Sequence, residues 1–143
     1  MKINFDFPVY HNDYQNAGIA SSEIKKILTQ VGLPFRLIRK IVISSYEAEM
    51  NLVIHSNGGK LKLEIDQESV VLISEDCGPG IADIELALSE GYSTADAYAR
   101  EMGFGAGMGL PNMKKNSDFF DIKSSPDGTI VYLSWVIKNE TFN

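Results

Sequence analysis

Apolar and polar residues alternate strictly at the start of the chain, with Ile3, Phe5, Phe7 and Val9 on one side and Lys2, Asn4 and Asp6 on the other. A period of two belongs to a half-buried strand, so residues 2–9 are predicted to be one. From Asn12 or Asp13 the period changes. Ala17, Ala20, Ile24, Ile27, Leu28 and Val31 recur at helical spacing until Gly32 and Pro34 stop the run. A second helix is predicted over about residues 34–56. There Leu37, Ile38, Ile41, Val42, Tyr46, Met50, Val53 and Ile54 give a wide apolar face, and Pro34 suits the first turn.

The Asn-Gly-Gly at 57–59 ends that helix. Two alternating strands are predicted next, at 60–66 and 69–74, joined by the polar turn Gln67-Glu68. A short helix is expected over 81–89. The polar, Gly-rich segment 90–107 shows no apolar period and reads as a mobile loop. Residues 108–119 read as helical, and strands at 120–124 and 129–137 meet across Pro126-Asp127-Gly128. This order predicts an α+β two-layer sandwich, with helices on one face of a mixed, mostly antiparallel sheet. Without an internal repeat or long linker, residues 1–143 are expected to form a single domain. The aromatics Phe119, Phe120, Tyr132 and Trp135 read as core, and His55 as packing near its helix end.

Composition narrows the function classes. An apolar share of 44% and a charged share of 22% are ordinary for a globular domain of 143 residues. The net charge of −6 argues against a sequence-independent nucleic-acid binder, which needs a basic stripe to meet phosphates. Cys77 is the sole cysteine, so neither an intramolecular disulfide nor a cysteine zinc cluster is available. Charges interrupt every apolar run, and the opening MKINFDFP lacks the basic-then-apolar order of a signal peptide. A cytoplasmic protein with no membrane role is expected.

Three groups of residues carry candidate chemistry. Glu47 and Asn51 are four apart on the second long helix, hence on one face. A carboxylate there can take the proton of a hydroxyl, and an Asn carbonyl oxygen is a hard ligand suited to Mg²⁺; the same spacing also describes a solvated face. Asp76, Gly78 and Gly80 follow a strand in "EDCGPG". A hairpin needs only one Asn-Gly or Asp-Gly pair, so the acid with two glycines and a proline points to more than a turn. Glycines let the backbone approach a flat ligand, and an ionised Asp accepts from an exocyclic amine such as adenine's. In "GFGAGMGLPNMKK", Gly103, Gly105, Gly107 and Gly109 precede a helix, where free amides make a phosphate site. That spacing fits neither the Gly-x-Gly-x-x-Gly nor the Walker pattern, and a flexible linker is the plain alternative.

Taken together, in this order and these contexts, the three groups resemble those of the GHKL ATPase superfamily, which has the Bergerat nucleotide-binding fold. The resemblance covers nearly the whole chain. It implies that Glu47 to Asn51 is the N box, with Glu47 catalytic and Asn51 holding Mg²⁺ and nucleotide. It makes Asp76 to Gly80 the G1 box, followed by Ile81, and Gly105 to Gly109, with Gly103 before and Leu110 after, the G2 box including Met108. Gly128-Thr129 matches a further family position, and the Thr129 hydroxyl is expected to support Asp76 and the base. Arg100, the one basic residue of the Gly-rich loop region, is assigned to offsetting charge on the transferring phosphoryl. Leu52 departs from the family in being bulky where a small residue is common, and residues 91–102 match no family pattern.

Within the superfamily, His11 and His55 are the only histidines. Neither lies in a dimerisation helix of the sensor-kinase type, so autophosphorylation on histidine is not expected. The segments "GMGLPNMKK" and "SSPDGTIVYLSW" resemble those of the anti-sigma and switch-protein serine/threonine kinases. The resemblance implies ATP and Mg²⁺ as cofactors, phosphorylation of a small STAS-domain antagonist of the anti-anti-sigma type, a sigma factor or other regulator as a further partner, and a homodimer. A nucleotide-dependent sequestering module without phosphotransfer and a stand-alone ATPase need the same pocket and remain open alternatives.

Overall fold

Alternation decides the strands, and the chain's five segments join into one sheet in the order β1-β2-β3-β5-β4 in a computed structural model that describes residues 2–81, 84–89 and 109–138. The strands are β1 (Ile3–Val9), β2 (Gly59–Ile65), β3 (Ser69–Asp76), β4 (Phe119–Ser125) and β5 (Gly128–Val136). Every neighbouring pair is antiparallel, so the expected mostly antiparallel sheet shows no parallel pairing among the described residues. The connections explain why. β2–β3 and β4–β5 are hairpins. Between β1 and β2 the chain makes two helices rather than one, so it returns running against β1 instead of alongside it.

The helices are α1 (Ile19–Val31), α2 (Phe35–His55), the single turn α3 (Ile84–Ala87) and α4 (Gly109–Asn116). The first predicted helix is shorter than its pattern. A 3-10 turn at Tyr14–Asn16 precedes it, and Gly18 takes a left-handed conformation just before α1. Side chains pair with each other across this turn: both Asp13 carboxylate oxygens accept from the Asn16 side-chain amide at 3.0 Å. At the other end, the helix expected over 108–119 stops at Asn116. Asp118 already belongs to the sheet edge, donating its amide to the Ser134 carbonyl at 3.0 Å and accepting from the Val136 amide at 2.8 Å. The loop expected at 90–107 lies outside the described residues.

The core forms where α1, α2 and α4 cover one face of the sheet. Ile24, Leu28, Leu61, Leu63, Leu72 and Leu133 are completely buried there. Each contributes about 1.5–3 kcal/mol over its exposed state. Trp135 is buried with them and satisfies its indole N–H on the Asn116 carbonyl at 2.6 Å. Not every aromatic reads as expected. Phe119 is 55% exposed and meets half-buried Tyr132 edge-on at 5.8 Å, because both face outward while Phe120 and Trp135 alternate inward. No helix among the described residues is long and apolar enough to cross a membrane.

Candidate functional site

Strand alternation sorts the two acids that end β3. Glu75 pairs across the strands with Lys62 at 3.2 Å. Asp76, the last strand residue, points to the other face, and its Oδ1 accepts the main-chain amides of Gly78 at 2.9 Å and Thr129 at 2.8 Å. One carboxylate oxygen is thus fixed by the backbones of the loop after β3 and of β5, and Oδ2 is left as an oriented acceptor. The turn behind it requires its glycines. Gly78 has a φ of +99°, and a Cβ at Gly80 would run into the Ser125 carbonyl. The Gly78-Pro79 peptide is cis.

Thr129 supports Asp76 differently from the expectation. Its main-chain amide makes the contact, while its hydroxyl is 2.8 Å from the Ser124 hydroxyl. Ser124 Oγ in turn accepts the Ile81 amide at 2.6 Å, so Ile81 enters the site through its backbone while its side chain packs on the core. The Asn-Gly-Gly turn after α2 closes the underside of the loop. The Asn57 amide donates to the Gly78 carbonyl at 2.7 Å, and the Cys77 amide to the Gly58 carbonyl at 3.0 Å.

Glu47 and Asn51 lie on the face of α2 that meets α4. The Asn112 side-chain amide donates to Glu47 Oε2 at 2.7 Å. One turn away, a Cβ at Gly109 would stand 3.2 Å from Asn51 Oδ1, so glycine leaves that carbonyl oxygen uncovered. The donor set fits magnesium in this form. Among the described residues no group of three or more His, Cys, Asp or Glu could cage an ion, and an ion here would have the Asn51 oxygen as one ligand, in keeping with the way Mg²⁺ commonly uses one or two protein oxygens beside phosphate and water. Leu110 turns its side chain into the core at 8% exposure, so any contact it made with a nucleotide would be through its backbone.

On its other flank Glu47 opens to a groove of about 530 Å³ between α1 and α2, lined with Gly18, Ser21, Lys25, Val42 and Tyr46. Burial raises the Tyr46 hydroxyl above its ordinary pKa, and the negative charges of Glu47 and Glu49 push the same way. Glu49 is a residue that pattern reading passed over. It is 2% exposed, and its carboxylate accepts the amides of Gly18, Ala20 and Ser21 at 3.0, 3.2 and 2.9 Å. It thereby caps the start of α1 from a neighbouring helix.

The structure therefore assembles two clusters: Asp76, Gly78, Gly80, Ile81 and Thr129 around the β3–β5 ends, and Glu47, Asn51 and Gly109 between α2 and α4. Arg100, Gly103, Gly105, Gly107 and Met108 lie outside the described residues. Asn112 and Ser124 join the clusters without having been singled out. The signal for Asn112 was its place three residues after Gly109, one helical turn along. Ser124 had none, since "SS" before a turn is common.

Comparison with known proteins identifies a family and relatives. The family description "Histidine kinase-like ATPase domain" matches residues 11–135. The chain is similar to the serine/threonine-protein kinase RsbT of Bacillus subtilis (strain 168), with 29% identity over 68% of this chain and 71% of the relative. It is also similar to the anti-sigma F factor of Pasteuria penetrans, 32% identical over 66% of this chain and 63% of the relative. The anti-sigma F factor of Clostridium novyi (strain NT) is 25% identical over 87% and 89%. Among solved structures, a chain of the SiaB-SiaC complex from Pseudomonas aeruginosa has the same fold. Its TM-score is 0.55 at 14% identity, covering 94% of this chain and 89% of that one.

Proposed function

The chain belongs to the histidine kinase-like ATPase family, and from that premise we propose that it is an anti-sigma-type serine/threonine-protein kinase. It uses ATP with Mg²⁺ to phosphorylate a small STAS-domain antagonist and so regulates a sigma factor or other partner in the cytoplasm. The observation that supports this best is Glu47. Its carboxylate is held at one oxygen by Asn112 and borders an open groove on the other side, one helical turn from a carbonyl oxygen left bare by glycine.

Each residue then has a definite task. Asp76 offers Oδ2 to the exocyclic amine of adenine, its other oxygen already committed to backbone. Asn51 holds Mg²⁺, which neutralises phosphate charge when bound. Arg100 offsets charge on the phosphoryl group, and the amides of Gly103, Gly105, Gly107, Met108 and Gly109 cradle the phosphates. Glu47 accepts the proton of the partner's Ser or Thr hydroxyl. The hydroxyl oxygen bonds to the γ-phosphorus as the bond from that phosphorus to the ADP oxygen breaks. Phosphorylated partner, ADP and a proton on Glu47 result. Little covalent work falls to the protein beyond placing these groups.

The test is transfer of label from γ-labelled ATP to proteins in an extract of the source cells, with Glu47→Gln and Asp76→Asn variants alongside. Label on one small protein, lost in both variants, is expected. ATP binding without transfer, in an extract shown to contain the antagonist, would instead favour a sequestering module. Steady phosphate release without a labelled protein would favour a stand-alone ATPase.

A further inference from the structure

We infer that Asn112 is the positioning residue for the Glu47 carboxylate, holding it turned toward the groove from which an acceptor hydroxyl arrives; this role rests on the kinase reading. At 2.7 Å the contact is short, as hydrogen bonds to a carboxylate are. It engages Oε2 and leaves Oε1 for a proton. A neutral amide suits that task. A lysine or arginine in its place would hold the carboxylate in an ion pair, whereas an amide fixes its orientation and brings no charge to compete with the incoming hydroxyl.

Asn112 is itself fixed. Leu110 and Met113 on either side are buried, and the Asn112 carbonyl accepts the Asn116 side-chain amide at 2.9 Å. The contact is also one of a pair. Glu47 and Asn51 are a turn apart on α2, and Gly109 and Asn112 nearly a turn apart on α4. The two helices therefore meet at Glu47–Asn112 and again at Asn51–Gly109. A slide of α4 along α2 breaks both contacts together, so the proton acceptor and the proposed metal ligand keep a common register. No ion pair takes Glu47 among the described residues, and Lys25 is the one charged residue that α1 brings to the groove lining.

The test compares the full chain with Asn112→Ala and the nearly isosteric Asn112→Asp, each also placed in a Glu47→Gln background. Transfer from ATP to the acceptor gives kcat, calorimetry gives ATP affinity, and thermal melting confirms folding. Asn112→Ala is expected to lower kcat roughly 10- to 100-fold, the scale of a misplaced catalytic group. ATP affinity should stay within about twofold. Asn112→Asp, which sets like charges together, should lose at least as much. In the Glu47→Gln background, neither change should cost more, because the residues act as a unit. Unchanged kcat, a loss that follows weakened ATP binding, or the same loss repeated without Glu47 overturns the role. No transfer by the unsubstituted chain overturns the kinase reading, and this role with it.

Discussion

The Glu49 carboxylate receives the Ser21 hydroxyl at 2.6 Å and the Ser21 amide at 2.9 Å. Two residues earlier on the same helix, Glu47 turns the opposite way, toward Asn112 at 2.7 Å. α2 thus uses one acid to fasten α1 and another to meet α4, and only the second borders the groove that the proposed reaction needs. Their burial differs accordingly: Glu49 is 2% exposed and Glu47 is half-buried.

Replacing Glu49 tests this division. Glu49→Ala strips the acceptor from three main-chain amides and a hydroxyl. A loss of roughly 2–4 kcal/mol in unfolding free energy is expected from the uncapped helix and the unpaired groups. Urea denaturation measures it. A loss below that of an ordinary surface substitution would show that water replaces the carboxylate at little cost.

Asp76→Asn separates the two oxygens of that carboxylate. An asparagine keeps an oxygen for the Gly78 and Thr129 amides, so the loop should stay folded. It puts a donor where Oδ2 stood, facing the adenine amine donor to donor. ATP affinity should fall about 100-fold or more. Calorimetry reads the change, and ATP bound as tightly as before would remove the basis for placing adenine there.

Gly109→Ala places a methyl 3.2 Å from Asn51 Oδ1 without demanding a special backbone conformation. The expected result is weakened binding of ATP with Mg²⁺ and little change for ATP in EDTA. Equal weakening in both conditions would place the damage elsewhere than the metal ligand.

His55 sets a pH dependence. Burial lowers its pKa from the ordinary 6.5. The folded chain then binds the proton less readily than the unfolded one, so His55's contribution to stability is fully present above pH 6.5 and is lost as the pH falls through the folded value. His55→Gln should flatten the fall in stability between pH 7.5 and 5, followed by denaturant midpoints at fixed temperature. Asp66 acts in a lower window. Hydrogen bonds from the Glu68 and then the Ser69 amide lower its pKa from 3.8, so its stabilising effect is lost only below that.

Much of the fold was legible because period carries it. Strict alternation marked β1, and Gly32-Pro34 and Asn-Gly-Gly punctuated the helices within a residue or two. The start of α1 was misjudged because Ala17 and Ala20 hold helical spacing on both sides of Gly18, whose left-handed turn breaks the helix without breaking the period. Phe119 was misassigned because aromatic character says nothing of which side of a strand a residue takes; only its pairing opposite Ser134 does. In the site, Glu47 and Asn51 stood out as polar residues four apart on one face of a helix, and Asp76 by the glycines that follow it. Glu49 did not, since its partners lie 28 to 31 residues away and no spacing within α2 reveals them.

The Asp76 clasp has a consequence for assembly. Its amide donors come from Gly78, two residues on, and from Thr129, 53 residues on in a different hairpin. The β2–β3 and β4–β5 hairpins close over short distances, whereas joining β3 to β5 pays the entropy of a long loop. The proposed adenine acceptor is therefore complete only once the two hairpins have docked. A nucleotide that binds the finished clasp and not its halves should raise the melting temperature with the logarithm of its concentration, continuing beyond saturation, and protect the amide of Thr129 from hydrogen exchange.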